Sequence, residues 1–278
     1  SRVNVNTLDP GRKALVGRHP VVRIGLTSDA KAVSFSPQKW TVELPYTLRK
    51  GEMPERIAVF AFRTDNTLKR MMGSSYDETL GFVTFETDVV GDFLIKHEWI
   101  SPFIDVEPSA WYYDFIFTVH ANGLMNGVAA NRFDPARNAT RGMIATMLYQ
   151  LDGALSTGDS LFNDVPGNAW YAKGVVWAVQ NGIFSGYEDK TFRPNADITR
   201  EQLATVIYNY LESMNLASPS TGNLNAFSDK DEVSAYAVEA MTWMVENGYM
   251  SGKGNGILDP KGFASRAEVA AMFDKLIE

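Results

Sequence analysis

"FNDVPGNAWYAKGVVWAVQNGIFSGYEDKTFRPNADITREQ", residues 162–202, decides the fold, because the chain writes this pattern three times. "FIDVEPSAWYYD" (103–114) and "FSDKDEVSAYAV" (227–238, with one extra residue) match its opening. "NGLMNG" (122–127) and "NGYMSG" (247–252) match "NGIFSG" (181–186), and "FDP" (133–135) and "LDP" (258–260) match "FRP" (192–194). From Gly127, Gly186 and Gly252 to Phe133, Phe192 and Leu258 the step is six residues each time. From those positions to Arg141, Arg200 and Arg266 it is eight. Self-similarity at matched spacing is the mark of a repeat architecture. The linkers differ: "DGALSTGDS" (152–160) is short, and "SMNLASPSTGNLNA" (213–226) reads as longer and flexible.

Each unit reads as two amphipathic helices. The first begins near Trp111, Trp170 or Tyr236 and ends at Asn-Gly, where Gly takes a left-handed C-terminal conformation. The second opens at Thr140, Thr199 or Ser265, each a good N-cap. Ile144, Met147, Leu148 and Leu151 share one helical face, as do Leu203, Val206, Ile207, Tyr210 and Leu211, and again Val269, Met272, Phe273 and Leu276. Thr199 with Gln202 and Ser265 with Glu268 make capping boxes, whereas Met143 leaves the first repeat without one.

The arginine after each cap is electrostatically odd, because a helix N-terminus is already positive. A cation there makes sense beside an anion. The unpaired N–H groups and a guanidinium together suit a carboxylate, which Arg grips with two parallel hydrogen bonds. Arg141, Arg200 and Arg266 are therefore candidate anion sites. Alternatively, they pair with Asp105, Asp164 and Asp229 of the F-x-D motifs and brace the fold. Trp111, Trp170 and Tyr236 admit core packing and sugar stacking alike. Trp177 and Trp243 read as plain core, and Gly127, Gly186 and Gly252 chiefly as turn formers, with close approach of a ligand as a second benefit.

Residues 1 to about 100 have the period of strands. Val22, Ile24 and Leu26 alternate with polar or small residues, as do Trp40, Val42 and Leu44. "ERIAVFAFRTDNTLKRM" (55–71) reads as two strands joined by a turn at Thr64–Thr67, and "YDETLGFVTFET" (76–87) as a turn ending in Gly81 before a strand. Pro37, Pro45 and Pro54 fall between runs, where they cost no ladder bonds. Short strands with turn signals and no helical stretch predict a small antiparallel β-sandwich-like domain. The division is 1–100, then repeats at 101–155, 160–214 and 225–278.

Composition narrows the function. The 278 residues are 45% hydrophobic and 12% aromatic, as in a folded protein. A net charge of −7 argues against general nucleic-acid binding. There is no run of about 18 apolar residues to span a membrane. Cysteine is absent, which excludes disulfides and thiolate chemistry, and His19, His97 and His120 show no metal-ligand spacing. No catalytic, metal or cofactor motif is legible; residues 1–100 offer no carboxylate pair or nucleophile elbow. The chain begins at Ser1 without Met and reads as a processed or excised piece of something larger, Ser1 itself being a candidate cloning remnant.

The F-x-D, Trp-Tyr or Ala-Tyr, N-G-x-x-x-G, F-x-P and T-R-A-E-type motifs closely resemble the S-layer homology module of bacterial cell-surface proteins, over about residues 103–278. The β half is similar, through "ELPYTLRKGEMPERIAVFAF" (43–62) and "YDETLGFVTFET", to a domain that often precedes such modules, without known activity. The resemblance implies an extracellular protein of the cell wall or S-layer, a monomer whose repeats close into a pseudo-threefold unit. It implies inter-repeat grooves holding a secondary cell-wall polysaccharide that carries a pyruvate ketal. The contacts it implies are Arg141, Arg200 and Arg266, the loop glycines Gly127, Gly186 and Gly252, and the aromatic walls Trp111, Trp170 and Tyr236. Repeat two keeps every element of the pattern, so Arg200 is expected to matter most, then Arg266 and Arg141, with no loss of fold on their removal. A protein–protein scaffold, an S-layer self-assembly module, or the anchoring end of a surface hydrolase are the alternatives.

Overall fold

The computed structural model describes residues 8, 12, 16, 19–24, 27–28, 31–32, 39–153, 155–156, 158 and 160–277. Ser1, Leu26 and Pro37 lie outside the described residues. The chain divides into two compact units, Ser1–Pro102 with Pro108–Asn122, and Phe103–Glu107 with Gly123–Glu278.

The first unit holds strands β1 (Val21–Ile24), β2 (Thr27–Ser28), β3 (Lys31–Ala32), β4 (Trp40–Pro45), β5 (Ile57–Phe62), β6 (Leu68–Arg70), β7 (Ser75–Asp77), β8 (Phe82–Thr87) and β9 (Gly91–His97). Their sheets run β1-β9-β5-β6 and β4-β8-β7, with β2-β3 a small hairpin, and every pairing is antiparallel. One core joins the two larger sheets: Ile57, Val59, Ala61, Phe93 and Ile95 from one, Val83 and Phe85 from the other. Alternation in β4 and β8 follows from this, because one face of each strand meets the core. Strands β5 and β9 lose the alternation, since Leu94 packs with Val21 and Phe60 on the opposite face. The turn at Gly81 has φ +70°, which glycine adopts without strain.

The first helix of repeat one, α1 (Tyr113–Ala121), belongs to this β unit. Phe117 stacks on His97 at 4.9 Å and meets Trp99 in a tilted contact at 5.5 Å, and Tyr113 meets Trp99 at 5.0 Å. Repeat periodicity places α1 in the repeat array; its apolar face instead finds aromatic partners at the end of β9 and just beyond it.

The second unit contains α2 (Arg141–Asp152), α3 (Ala172–Gln180), α4 (Arg200–Ser213), α5 (Val238–Glu246) and α6 (Arg266–Ile277). Gly123, Gly182 and Gly248 follow the first helices at φ +72°, +69° and +70°, the left-handed turn the Asn-Gly pairs predict. Thr140, Thr199 and Ser265 cap the second helices as expected. Repeat one nevertheless closes a weak box, with Met143 Sδ accepting from Thr140 N at 3.4 Å. The 213–226 linker is not free either: the backbone N–H groups of Ser220 and Gly222 donate to Glu239 and Glu246 of α5.

Two devices fix each inter-helix loop. The F-x-D aspartate accepts two consecutive N–H bonds: Asp105 from Phe133 and Asp134, Asp164 from Phe192 and Arg193, Asp229 from Leu258 and Asp259, all at 2.7–2.9 Å. These bonds hold Asp134, Arg193 and Asp259 at φ +60°, +56° and +59°, conformations that cost a non-glycine residue about 1–2 kcal/mol. The aspartates thus serve the loops, not the arginines. The second device is a close approach. A Cβ on Gly186 would stand 2.0 Å from the Phe162 ring, and one on Gly127 or Gly252 2.7 Å from Phe103 or Phe227. Gly186 thus makes room for the F-x-D phenylalanine, and Gly127 and Gly252 make room both for it and for carbonyls of their own loop, Ala129 O and Ile257 O at 2.6 Å.

The loops then join the repeats. Arg141 N and Gly142 N donate to Ala196 O and Pro194 O, Arg200 N and Glu201 N to Gly262 O and Pro260 O, and Arg266 N and Ala267 N to Arg137 O and Pro135 O. Just before the caps, Ala139 N donates to Ala264 O, Ala264 N to Ile198 O and Ile198 N to Ala139 O, a closed ring of bonds among fully buried residues.

Candidate functional site: two arginine grooves and a paired third arginine

The sealed helix starts revise the electrostatic reading. The first two N–H groups of α2, α4 and α6 are spent on neighbouring carbonyls, so no open helix N-terminus awaits an anion. The arginines themselves are buried, with 4%, 2% and 1% of Arg141, Arg200 and Arg266 exposed. Each donates twice to the loop of another repeat. Arg141 Nε and Nη2 reach Phe192 O and Ser185 O at 2.9 and 2.8 Å. Arg200 reaches Leu258 O and Ser251 O at 3.0 and 2.6 Å, and Arg266 reaches Phe133 O and Asn126 O at 2.9 and 2.6 Å. Neither an exposed arginine nor an Asp-paired one describes this arrangement.

What remains is the outer amino group. Among the described residues, Nη1 of Arg141 and of Arg266 makes no hydrogen bond, while Arg200 Nη1 is 2.8 Å from Glu268 Oε1. Aromatic faces flank the two open guanidiniums. Arg141 lies 4.6, 4.9 and 4.7 Å from the rings of Phe184, Tyr187 and Phe192, and Arg266 4.4 Å from Phe133. Burial lowers the pKa of Arg141, and burial together with Arg137 pushes Arg266 down to about 10. Arginine keeps its charge in proteins, so each presents a buried cation.

Each open guanidinium faces a cavity built from all three repeats. One, of about 440 Å³, lies between the Gly123–Val128 loop and α2 (Met143, Met147) of repeat one, with Arg266 from repeat three and Trp170 from repeat two. The other, of about 280 Å³, lies between the Ile183–Tyr187 loop and α4 (Gln202, Asn209) of repeat two, with Arg141 from repeat one and Tyr236 from repeat three. The structure thus brings Arg266, Trp170 and Gly127 together, and Arg141, Tyr236 and Gly186. Sequence reasoning grouped arginine, loop and aromatic within one repeat, which the folded chain does not do.

The aromatic walls are surface features, since Trp111, Trp170 and Tyr236 are 61%, 62% and 56% exposed. Trp177 and Trp243 are buried core, as expected. Trp111 sits in the first unit, edge-on to Tyr112 and Phe115. Gly252 packs on Phe227 behind the loop that receives Arg200.

Two carboxylates went unassigned to this site in the sequence. Glu201 stands where repeats one and three have Gly142 and Ala267. It is buried and accepts bonds from Tyr236 Oη (3.1 Å), Ser234 N (3.0 Å) and Lys261 Nζ (2.7 Å), so it fixes one aromatic wall. Burial and the Glu201 charge push the Tyr236 hydroxyl up to about 12, keeping it a donor. Glu268 adds the Arg200 pair to its capping role; burial opposes its ionisation, but Lys253, Ser265 and Arg200 outweigh this and hold its pKa below the usual range. An acidic residue in place of a small one was the only signal for Glu201. Glu268 gave none beyond its cap spacing.

The S-layer homology domain profile matches residues 102–142, 161–204 and 226–270. This chain carries three S-layer homology domains in tandem. It is 30% identical over 159 residues to the surface-layer 125 kDa protein of Lysinibacillus sphaericus, covering 56% of this chain and 13% of that protein. It is 29% identical over 159 residues to the cellulosome-anchoring protein of Acetivibrio thermocellus, covering 55% and 35%. An amylopullulanase of Thermoanaerobacterium thermosulfurigenes is 26% identical over 280 residues, which span 99% of this chain and 15% of the enzyme. That last likeness includes the β unit along with the S-layer homology domains. The chain spans well under half the length of these relatives. Among the described residues no helix is long and apolar enough to cross a membrane.

Proposed function

We propose that the S-layer homology domains hold this chain on a bacterial cell wall, non-covalently, by gripping acidic groups of a wall polysaccharide in the inter-repeat grooves. The observation that carries the reading is the pair of buried arginines whose inner donors are spent on carbonyls and whose outer amino group faces a cavity beside an exposed aromatic ring. A carboxylate there gains a charge-assisted bond worth about 1.5–3 kcal/mol, and the aromatic face gives a sugar ring an apolar floor. The Met-lined cavity suits apolar substituents of that sugar, and the cavity with Gln202 and Asn209 suits hydroxyls. A pyruvate ketal presents both a carboxylate and a methyl group, and is the acid we assign.

The repeats close about a pseudo-threefold axis in this reading. Support comes from the Ala139–Ile198–Ala264 ring and from three matched sets of arginine bonds running from repeat one to two, two to three and three to one. We place the protein outside the cell, as the anchoring part of a longer surface protein. The relatives named as an amylopullulanase, an exoglucanase and an endoglucanase share only 15–19% of their length with it, so their chemistry resides in other domains. S-layer homology domains are binding modules, and no enzyme activity is assigned to this chain.

The test is retention of the full chain on purified cell-wall sacculi before and after mild acid removes pyruvate ketals. Retention should be strong before, weakened by salt, and absent after. Equal retention after acid would remove the acidic-sugar reading. Assembly of the chain with itself, without sacculi, would favour an S-layer scaffold instead.

A further inference from the structure

The backbone N–H of each second-helix arginine is received by a residue of another repeat: Arg266 N donates to Arg137 O, Arg141 N to Ala196 O and Arg200 N to Gly262 O. Repeat one alone places a cation at this point. The bond, 2.8 Å long, holds Arg137 beside Arg266, and both side chains line the cavity of about 440 Å³ with Met143, Met147 and Trp170. Among the described residues no carboxylate shares that lining. Arg137 is exposed, and among the described residues its guanidinium makes no hydrogen bond or ion pair. Asp105 and Asp134 also bear on Arg266, but neither lines the cavity, and both Asp105 oxygens already accept N–H groups of the loop. The Arg141 cavity has no such pair of cations. Arg141 is the one charged residue of its lining, and the nearby Arg193 is bonded to Asp189 at 3.0 Å and laid over the Tyr187 ring.

Resting on the groove reading above, we propose that Arg137 sets the specificity of the Arg266 groove for a two-sugar segment bearing two acids. The ketal carboxylate goes to Arg266 and a carboxylate of the adjoining sugar to Arg137, whereas the Arg141 groove takes one acid. Two cations facing one cleft repel each other and draw anions more strongly than either alone. A second acid relieves that repulsion, and a guanidinium grips it with paired, charge-assisted bonds. The larger volume, about 440 against about 280 Å³, leaves room for the adjoining sugar. A ligand with one acid would leave Arg137 in solvent and gain little from it.

Calorimetric titration of the full chain with three soluble probes tests this. They are a methyl glycoside bearing a 4,6-pyruvate ketal, a disaccharide joining that sugar to a uronic acid, and the same disaccharide with its uronate reduced to the alcohol. The wild-type chain should bind the uronate disaccharide roughly tenfold or more tightly than the reduced one at one groove. Arg137→Gln should lose that preference while keeping its affinity for the other two probes and its melting midpoint, and Arg137→Lys should retain most of the preference. Equal affinity of the wild-type chain for the two disaccharides would overturn the proposal, as would a preference that survives in Arg137→Gln. An Arg137→Gln chain that weakens alike for all three probes would show that Arg137 only shapes the groove, and would also count against it. Should Arg137→Gln fail to fold, Ala196→Arg decides: a free cation beside Arg141 should extend the preference to that groove, and an unchanged isotherm would count against the proposal. No binding of any probe by the wild-type chain would instead sink the groove reading on which the proposal rests.

Discussion

Arginine at the first position of α2, α4 and α6 raises the question of what a cation does at a positive helix end. Here its inner edge is a strut, bonding two carbonyls of another repeat's loop, while the guanidinium lines a groove at Arg141 and Arg266 and pairs with Glu268 at Arg200. Arg266→Ala should therefore lower stability and binding together. Two carbonyls lose their partner, at about 1–3 kcal/mol each where they stay dry, so thermal melting should fall sharply even before ligand is added. An unchanged melting midpoint would show that water replaces the guanidinium. Gly186→Ala isolates the other close contact. Its φ is unremarkable for any residue, yet the new Cβ would strike Phe162, and overpacking of this kind costs about 1–3 kcal/mol. A melting curve that does not move would mean that the ring can step aside. Sequence spacing marked both residues, but only the folded loop shows which atoms approach them.

At the scale of elements, helix periodicity, Asn-Gly stops and Ser/Thr caps were fully readable, since each is a local preference of a few neighbouring residues. The β strands were readable where one face meets the core, as in β4 and β8. What local pattern missed was the lodging of α1 on the end of β9. His97, on that strand, is 2% exposed, stacks on Phe117 and accepts a bond from Met53 N at 3.1 Å through Nε2. That nitrogen must be unprotonated, and burial accordingly lowers the His97 pKa from its ordinary 6.5. The unfolded chain takes up this proton first as pH falls. The stabilisation is complete above 6.5 and is lost as pH drops from there through the lowered value. The protection of β5 and β9 amides, taken relative to their intrinsic exchange rates, should thus fall below pH 6.5 in the wild type but not in His97→Gln. Parallel profiles for the two would remove His97 from the account.

For the molecule as a whole, the arginine bonds and the Ala139–Ile198–Ala264 ring make each repeat depend on the others. Removing residues 227–278 takes away Arg266 from the first loop, the acceptors of Arg200, and one member of the ring. The remainder should lose cooperative melting and aggregate, as repeat arrays do when an interface is stripped. A soluble two-repeat chain with a sharp transition would contradict that interdependence. The sequence by itself determined the strand-rich and helix-rich halves, three repeats, their caps and turns, and the residue types of an anion site, because these depend on spacing and neighbours along the chain. Tertiary structure alone decided that each groove draws its arginine, loop and aromatic ring from three different repeats. It alone turned the glycines into contact points and gave Arg200 a carboxylate partner in Glu268. The physical reason is that burial, partner choice and charge compensation depend on atoms brought together from 44 to 140 residues apart, as between Arg141 and Ser185 and between Arg266 and Asn126, and no local pattern encodes them.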